Sequence, residues 1–216
     1  VQSIGRFWVE RNAHETFQVF VDAQASEEAF KRMSGGKRVV HLATHAYYME
    51  SSCFPEAKGM SAVGENPLLQ SGLLLAGANL HGEGAEAAAG EDGILTALEV
   101  SGMNLQGTDL VVLSACETGL GKVEQGEGVY GLRRAFQMAG AKTVVSSLWQ
   151  VPDMESMKFM KSLYSMDSQT YPELIQKAAL KRITEARQRG RPTHPFTWGA
   201  FVATGEWRNH LNASTN

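Results

Sequence analysis

Cysteine is scarce in this 216-residue chain: only Cys53 and Cys116 are present, too few for a disulfide scaffold. Both thiols suit a reducing cytoplasm, which also keeps a reactive thiol usable. No apolar run approaches the roughly 20 residues that cross a bilayer, so a soluble domain without a membrane role is expected. Neither sign of charge dominates: 20 Lys and Arg stand against 23 Asp and Glu, for a net charge of −3. No long basic cluster appears, and direct nucleic-acid contact is not expected. The sequence opens at Val1 with neither an initiator methionine nor the charged-then-apolar pattern of a signal peptide. It reads as the C-terminal fragment of a longer chain, and its length fits one domain spanning 1–216.

The periodicities that are present alternate between strand and helix. Thr16 to Val21 is β-rich and alternating, and Ser26 begins a helix running to Met33. Arg38 to Ala43 is the next strand, closing a βαβ unit with His45 just past its end. Residues 49–66 and 81–91 lack periodicity and read as loops, while Gly72 to Leu80 reads as a strand. Asp92 to Leu98 offers a cap and helical spacing, with Thr96 to Glu99 on a brief helix. Asp109 to Ala115 is the central strand, and a Gly-rich loop over 119–128 leads into a helix carrying Val129, Leu132 and Phe136. Then follow a strand over Lys142 to Leu148, helices over Met154 to Tyr164 and Tyr171 to Arg189, and an aromatic strand within His194 to Thr204. This order predicts an α/β/α sandwich around a mostly parallel central sheet.

Two of the buried runs end in reactive side chains. Val39-Val-His-Leu-Ala-Thr-His45 delivers an imidazole, and Val111-Val-Leu-Ser-Ala-Cys-Glu-Thr-Gly119 delivers a thiol. Ligands of open parallel sheets bind beyond the carboxyl ends of the strands, where both residues fall. A thiol is mostly protonated at neutral pH, and a neighbouring histidine raises its reactive thiolate fraction. A buried Cys is often only a small core residue, but Cys116 lies past the apolar run, where the backbone turns. His41 precedes His45 by four residues, yet in a strand the two would lie about 13 Å apart along the axis. No metal is called for, and His41 reads as a packed strand histidine. Gly126-Glu-Gly-Val-Tyr-Gly131 matches a dinucleotide-binding pattern but does not follow its strand directly, so no bound nucleotide or other cofactor is expected.

Five ordered segments resemble the CHAT domain family. They are His41-Leu-Ala-Thr-His45, Leu113-Ser-Ala-Cys-Glu-Thr-Gly119, Gln125-Gly-Glu-Gly-Val129 with Leu132-Arg-Arg-Ala-Phe136, Ser147-Leu-Trp149, and His194-Pro-Phe-Thr-Trp-Gly-Ala-Phe-Val202. The resemblance implies a caspase-like and separase-like cysteine endopeptidase, with His45 and Cys116 as its dyad. It also implies a protein substrate and an attached tetratricopeptide-repeat region or regulatory partner. Backbone amides near Ala46 and Cys116 would stabilise the oxyanion, although Ala46 stands where family members generally carry glycine. Trp149, Asp153 and Glu117 would line the pocket for the residue preceding the cut, and the carboxylates, with help from Glu124 or Glu127, would favour a basic side chain there. Asp153 equally fits a cap for the helix beginning near Met154. A catalytically silent scaffold domain and a thiol hydrolase of non-peptide substrates are the rival functions.

Overall fold

Two short ladders, joined end to end, carry the architecture. The computed structural model describes residues 2–11, 15–48, 68–80, 92–114, 116–117, 127–209 and 211, with backbone alone at 11, 80, 116–117 and 127–130. The loops expected over 49–66 and 81–91, and most of the Gly-rich turn, lie outside the described residues. The strands are β1 (Val39–Leu42), β2 (His45–Tyr48), β3 (Ser71–Leu74), β4 (Ile94–Thr96), β5 (Leu110–Leu113), β6 (Cys116–Glu117), β7 (Thr143–Ser147) and β8 (Phe201–Gly205). The helices are α1 (Gln2–Arg11), α2 (Glu27–Met33), α3 (Ala97–Ser101), α4 (Glu127–Met138), α5 (Asp153–Ser165) and α6 (Tyr171–Gln188).

One sheet has the order β1-β5-β7-β8 and the other β4-β3-β2-β6. The pairs β1·β5, β5·β7 and β2·β6 are parallel, whereas β3, β4 and β8 add antiparallel flanks. β2 starts three residues after β1 ends, and β6 starts three residues after β5 ends. The Ser114 amide donates to the Leu42 carbonyl at 2.8 Å, stitching these neighbours together beyond the first ladder. The two sheets therefore share a seam through the middle pair of strands.

Alternation along the strands loads a core on each face. Val40, Leu42, Val111, Leu113 and Val144 pack with Leu132, Phe136 and Val100 of α4 and α3. Leu110, Val112 and Val145 face the other way, against Ile4 of α1, Phe159 and Leu163 of α5, and Leu174 of α6. These two layers make the expected α/β/α sandwich. No described helix is long and apolar enough to cross a membrane.

At the amino ends of the parallel strands one carboxylate gathers three elements. Asp109 accepts from Lys142 Nζ at 2.7 Å and from Arg38 Nε at 3.2 Å, so the residues preceding β5, β7 and β1 share one charge cluster. Burial pushes the Asp109 carboxyl up, but the hydrogen bonds and charges of Lys142 and Arg38 outweigh it and hold it below its ordinary range.

Four elements differ from the sequence reading. Thr16 to Val21 runs alongside the fold without joining a sheet ladder. Residues 94–96 form a strand, because Thr96 is extended (φ −70°, ψ 155°) as the N-cap of α3, and its capping box with Glu99 starts the helix later. The strand expected over 72–80 is confined to Ser71–Leu74, with a 3-10 turn at Ala78–Leu80. His194 caps a 3-10 turn over Pro195–Thr197, so the last strand begins only at Phe201.

Candidate active site

The seam places His45 and Cys116 side by side. His45 opens β2, Cys116 opens β6, and the two α-carbons are partners in a parallel ladder, followed by Ala46 with Glu117. Adjacent strands lie about 4.8 Å apart, and residues in register share a face of a pleated sheet. His45 is exposed, while Ala46 is buried in the core on the opposite face. Both reactive residues were expected beyond strand ends; the chain bends there and resumes pairing, because β3 and β4 supply a second sheet for it to join.

The same level of the sheet carries Trp149. Leu113 pairs with Ser146, so Cys116 and Trp149 each lie three residues beyond a matched pair on neighbouring strands. The Leu148 amide bonds to the Ala200 carbonyl at 2.8 Å, which holds this extension against the start of β8. Trp149 stacks on Phe196, with centroids 6.3 Å apart and planes at 20°, and its Nε1 donates to the Phe196 carbonyl at 3.0 Å. Phe196 is fixed in turn by its own amide bonding to His194 Nδ1 at 3.2 Å. An aromatic pair whose polar edge is already satisfied is a rigid, partly open apolar platform.

Asp153 is the first residue of α5, not its cap: Pro152 takes the cap position and no side-chain cap bond forms. Its exposed carboxylate sits in the first helical turn, where negative charge is favoured. Glu127 begins α4, so the glycine pattern at 126–131 is mostly helical backbone.

His41 packs inside rather than joining His45. Its Nδ1 lies 3.0 Å from the Tyr164 hydroxyl, and burial lowers its pKa to about 4, so the ring is neutral near pH 7. Three supports at the site escaped the sequence reading. The Thr44 hydroxyl donates to the carbonyl of Leu74, the residue facing His45 across the ladder. Gly72 faces Tyr47, and a Cβ there would come within 2.6 Å of the tyrosine ring. Phe196 completes the Trp149 platform. Thr44 and Phe196 fall within segments that carry the family resemblance and Gly72 opens an expected strand, but the partner of each depends on pairing across distant parts of the chain, which leaves no local periodicity.

The family model described as CHAT domain matches residues 2–206. Tetratricopeptide repeat protein 28 of Homo sapiens is 35% identical over 113 residues, which cover 52% of this chain and 4% of that protein. The protein of the same name from Mus musculus is 33% identical over 113 residues, again 52% of this chain and 4% of its own length. The match thus spans a small part of these relatives, whose name records the repeats that the sequence resemblance led one to expect. With the family's pattern running through both ladders and the residues gathered at their seam, the chain belongs to the CHAT domain family, a family related to caspase-like peptidases.

Proposed function

We propose that this domain is a cysteine endopeptidase acting through Cys116 and His45. The observation that carries the reading is the ladder register that pairs these two residues, 71 positions apart in sequence, across adjacent strands. The Cys116 thiolate attacks a peptide carbonyl, forming a thioester once His45 has given its proton to the departing amine. Water then attacks the thioester with His45 as base, releasing the acid and returning the thiol. Backbone amides near Ala46 and Cys116 take the oxyanion, where a single donor typically supplies about 3 kcal/mol of transition-state stabilisation.

Trp149 lies on the Cys116 side away from His45, at a matched distance beyond its strand, and offers a wall for the residue preceding the cut. Asp153 is exposed as the first residue of α5, four positions beyond Trp149, and makes no ion pair among the described residues, so it favours a basic side chain. Glu117 is left out of this pocket, since its ladder position is that of buried Ala46 on the face opposite His45. The substrate is a protein, and a tetratricopeptide-repeat region or regulatory partner governs access to the site in the cytoplasm.

Mass spectrometry of cleavage products from the intact chain and from Cys116→Ala tests the assignment. Peptides that disappear in a folded Cys116→Ala protein support it. Unchanged cleavage would overturn it, and a chain that cuts nothing while retaining a protein partner would return the site to a scaffold role. A peptide library scanned before the cut tests the basic preference, which acidic or apolar selection would remove.

A further inference from the structure

One row of residues crosses the whole of the second sheet at the level of His45. Cys116 pairs with His45, His45 with Leu74, and Leu74 with Ile94, so the order across β6, β2, β3 and β4 is Cys116, His45, Leu74, Ile94. Positions in register share a face of a pleated sheet, and these four lie on one. The neighbouring row of Ala46, Leu73 and Leu95 faces the opposite way into the core, where both leucines are wholly buried.

Beyond His45 the row is apolar and only half covered. Leu74 and Ile94 are half-buried, and among the described residues neither belongs to either core. Two positions along the strands, Tyr47 pairs with Gly72, and its ring lies so close that a Cβ on the glycine would come within 2.6 Å of it. Tyr47 therefore borders the row diagonally from Leu74, within side-chain reach. Leu74 and Ile94 are fastened through their backbone. The Thr44 hydroxyl donates to the Leu74 carbonyl, and the Leu75 amide donates to the Gly93 carbonyl at 2.7 Å, closing the ladder beside Ile94. The Gly93 amide in turn donates to buried Glu27 at 3.0 Å. The result is a rigid apolar shelf that begins next to His45.

Peptidase chemistry says what lies over it. His45 gives its proton to the departing amine, and that amine belongs to the residue following the cut. Trp149 stands on the other side of Cys116, so the chain preceding the cut runs toward β7 and the chain following it runs over β2 toward β3 and β4. Strands are spaced about 4.8 Å apart and an extended chain advances about 3.3 Å per residue, which brings the first two residues past the cut over His45 and Leu74. Successive side chains of an extended chain point to opposite sides, so one of those two is directed at the shelf. We propose that Leu74 and Ile94, bordered by Tyr47, select an apolar side chain at the first or second residue following the cut. This rests on the peptidase reading and extends it to the far side of the scissile bond.

A proteome-derived peptide library incubated with the chain tests it, the new amino termini being read by mass spectrometry. Leu, Ile, Val or Phe is enriched about fivefold over Ser, Gln and Asp at one of the two positions, the gain from half-burying one apolar side chain. Leu74→Lys places a cation on the shelf and exchanges that preference for Asp or Glu at the same position, with selection before the cut unaltered. The half-buried position lets the lysine stem lie along the surface, and structural damage alone creates no new preference. Ile94→Thr keeps a strand-forming residue and lowers the apolar enrichment about twofold. Cys116-dependent cleavage without apolar enrichment at either position overturns the shelf and leaves the peptidase standing. An unchanged profile in either variant does the same, whereas a chain with no Cys116-dependent cleavage overturns both readings.

Discussion

Replacing Glu27 probes how the flanking strands of the site are held. Glu27 opens α2 and is 2% exposed. Its Oε2 accepts from the Gly93 amide at 3.0 Å, and its Oε1 lies 2.5 Å from Lys31 Nζ, which reaches on to Glu99 at 3.0 Å. One carboxylate thus links α2, the turn into β4 and the capped start of α3. Glu27→Ala leaves the buried Gly93 amide without this acceptor, a loss of about 1–3 kcal/mol. It also breaks a buried ion pair. Full rupture typically costs about 3–5 kcal/mol, but Lys31 keeps Glu99 and is 29% exposed, so only a fraction applies. The expected total is about 3 kcal/mol. Glu27→Gln keeps an acceptor for Gly93 while removing the charge, and its expected cost is about 1–2 kcal/mol. Urea unfolding followed by tryptophan fluorescence measures both as midpoint shifts at constant slope. An alanine variant within 1 kcal/mol of the parent, or a glutamine variant equally damaged, would refute the assigned linkage.

Further outcomes follow from the charge environments and the aromatic platform. The folded His41 pKa of about 4 lies below its ordinary 6.5, so the unfolded chain binds the proton first and stability is lost as pH falls from 6.5 through 4. His41→Gln therefore flattens the stability profile in that window, and an unchanged slope would show that another group sets it. Asp109 has the same sign in a lower window: its contribution is full above the ordinary carboxylate value of 3.8 and fades as pH drops below it. Asp109→Asn costs about 1–2 kcal/mol at pH 7, discounted because Lys142 is 42% exposed, and a neutral result in urea unfolding would assign the cluster no role in stability. Trp149→Ala lowers kcat/KM for the preferred peptide by about tenfold, about 1.4 kcal/mol of lost apolar contact. Unaltered steady-state kinetics would remove the indole from the substrate pocket.

Much of the central ladder was legible because buried parallel strands announce themselves as uninterrupted β-branched runs, as Val111 to Leu113 and Val144 to Val145 do. The helices over 153–165 and 171–188 followed from their apolar spacing within a residue or two. Local signals misled where tertiary partners decide. Ile94 and Leu95 fit a helical stripe as well as a strand, and only β3 beside them selects the strand. Thr16 to Val21 has every strand propensity but no ladder partner, since its neighbour β1 stands across a cavity. For the site, the positions of His45 and Cys116 at the ends of apolar runs were readable. Their register was not, because it depends on how two bends in distant parts of the chain match. Phe196 was hidden for a different reason: a Pro-containing turn stacks it on Trp149, whose strand is 47 residues away.

The seam between the sheets divides the site in an unequal way. His45 and the backbone of Cys116 ride on the sheet of β4, β3, β2 and β6, whereas Trp149 follows the end of a strand in the sheet of β1, β5, β7 and β8. A slight rocking of one sheet against the other would alter the spacing between Trp149 and the His45–Cys116 pair while leaving every ladder bond intact. Under the proposed function, torque applied at β4, the outer strand of that sheet, would then tune the site while touching neither His45 nor Cys116.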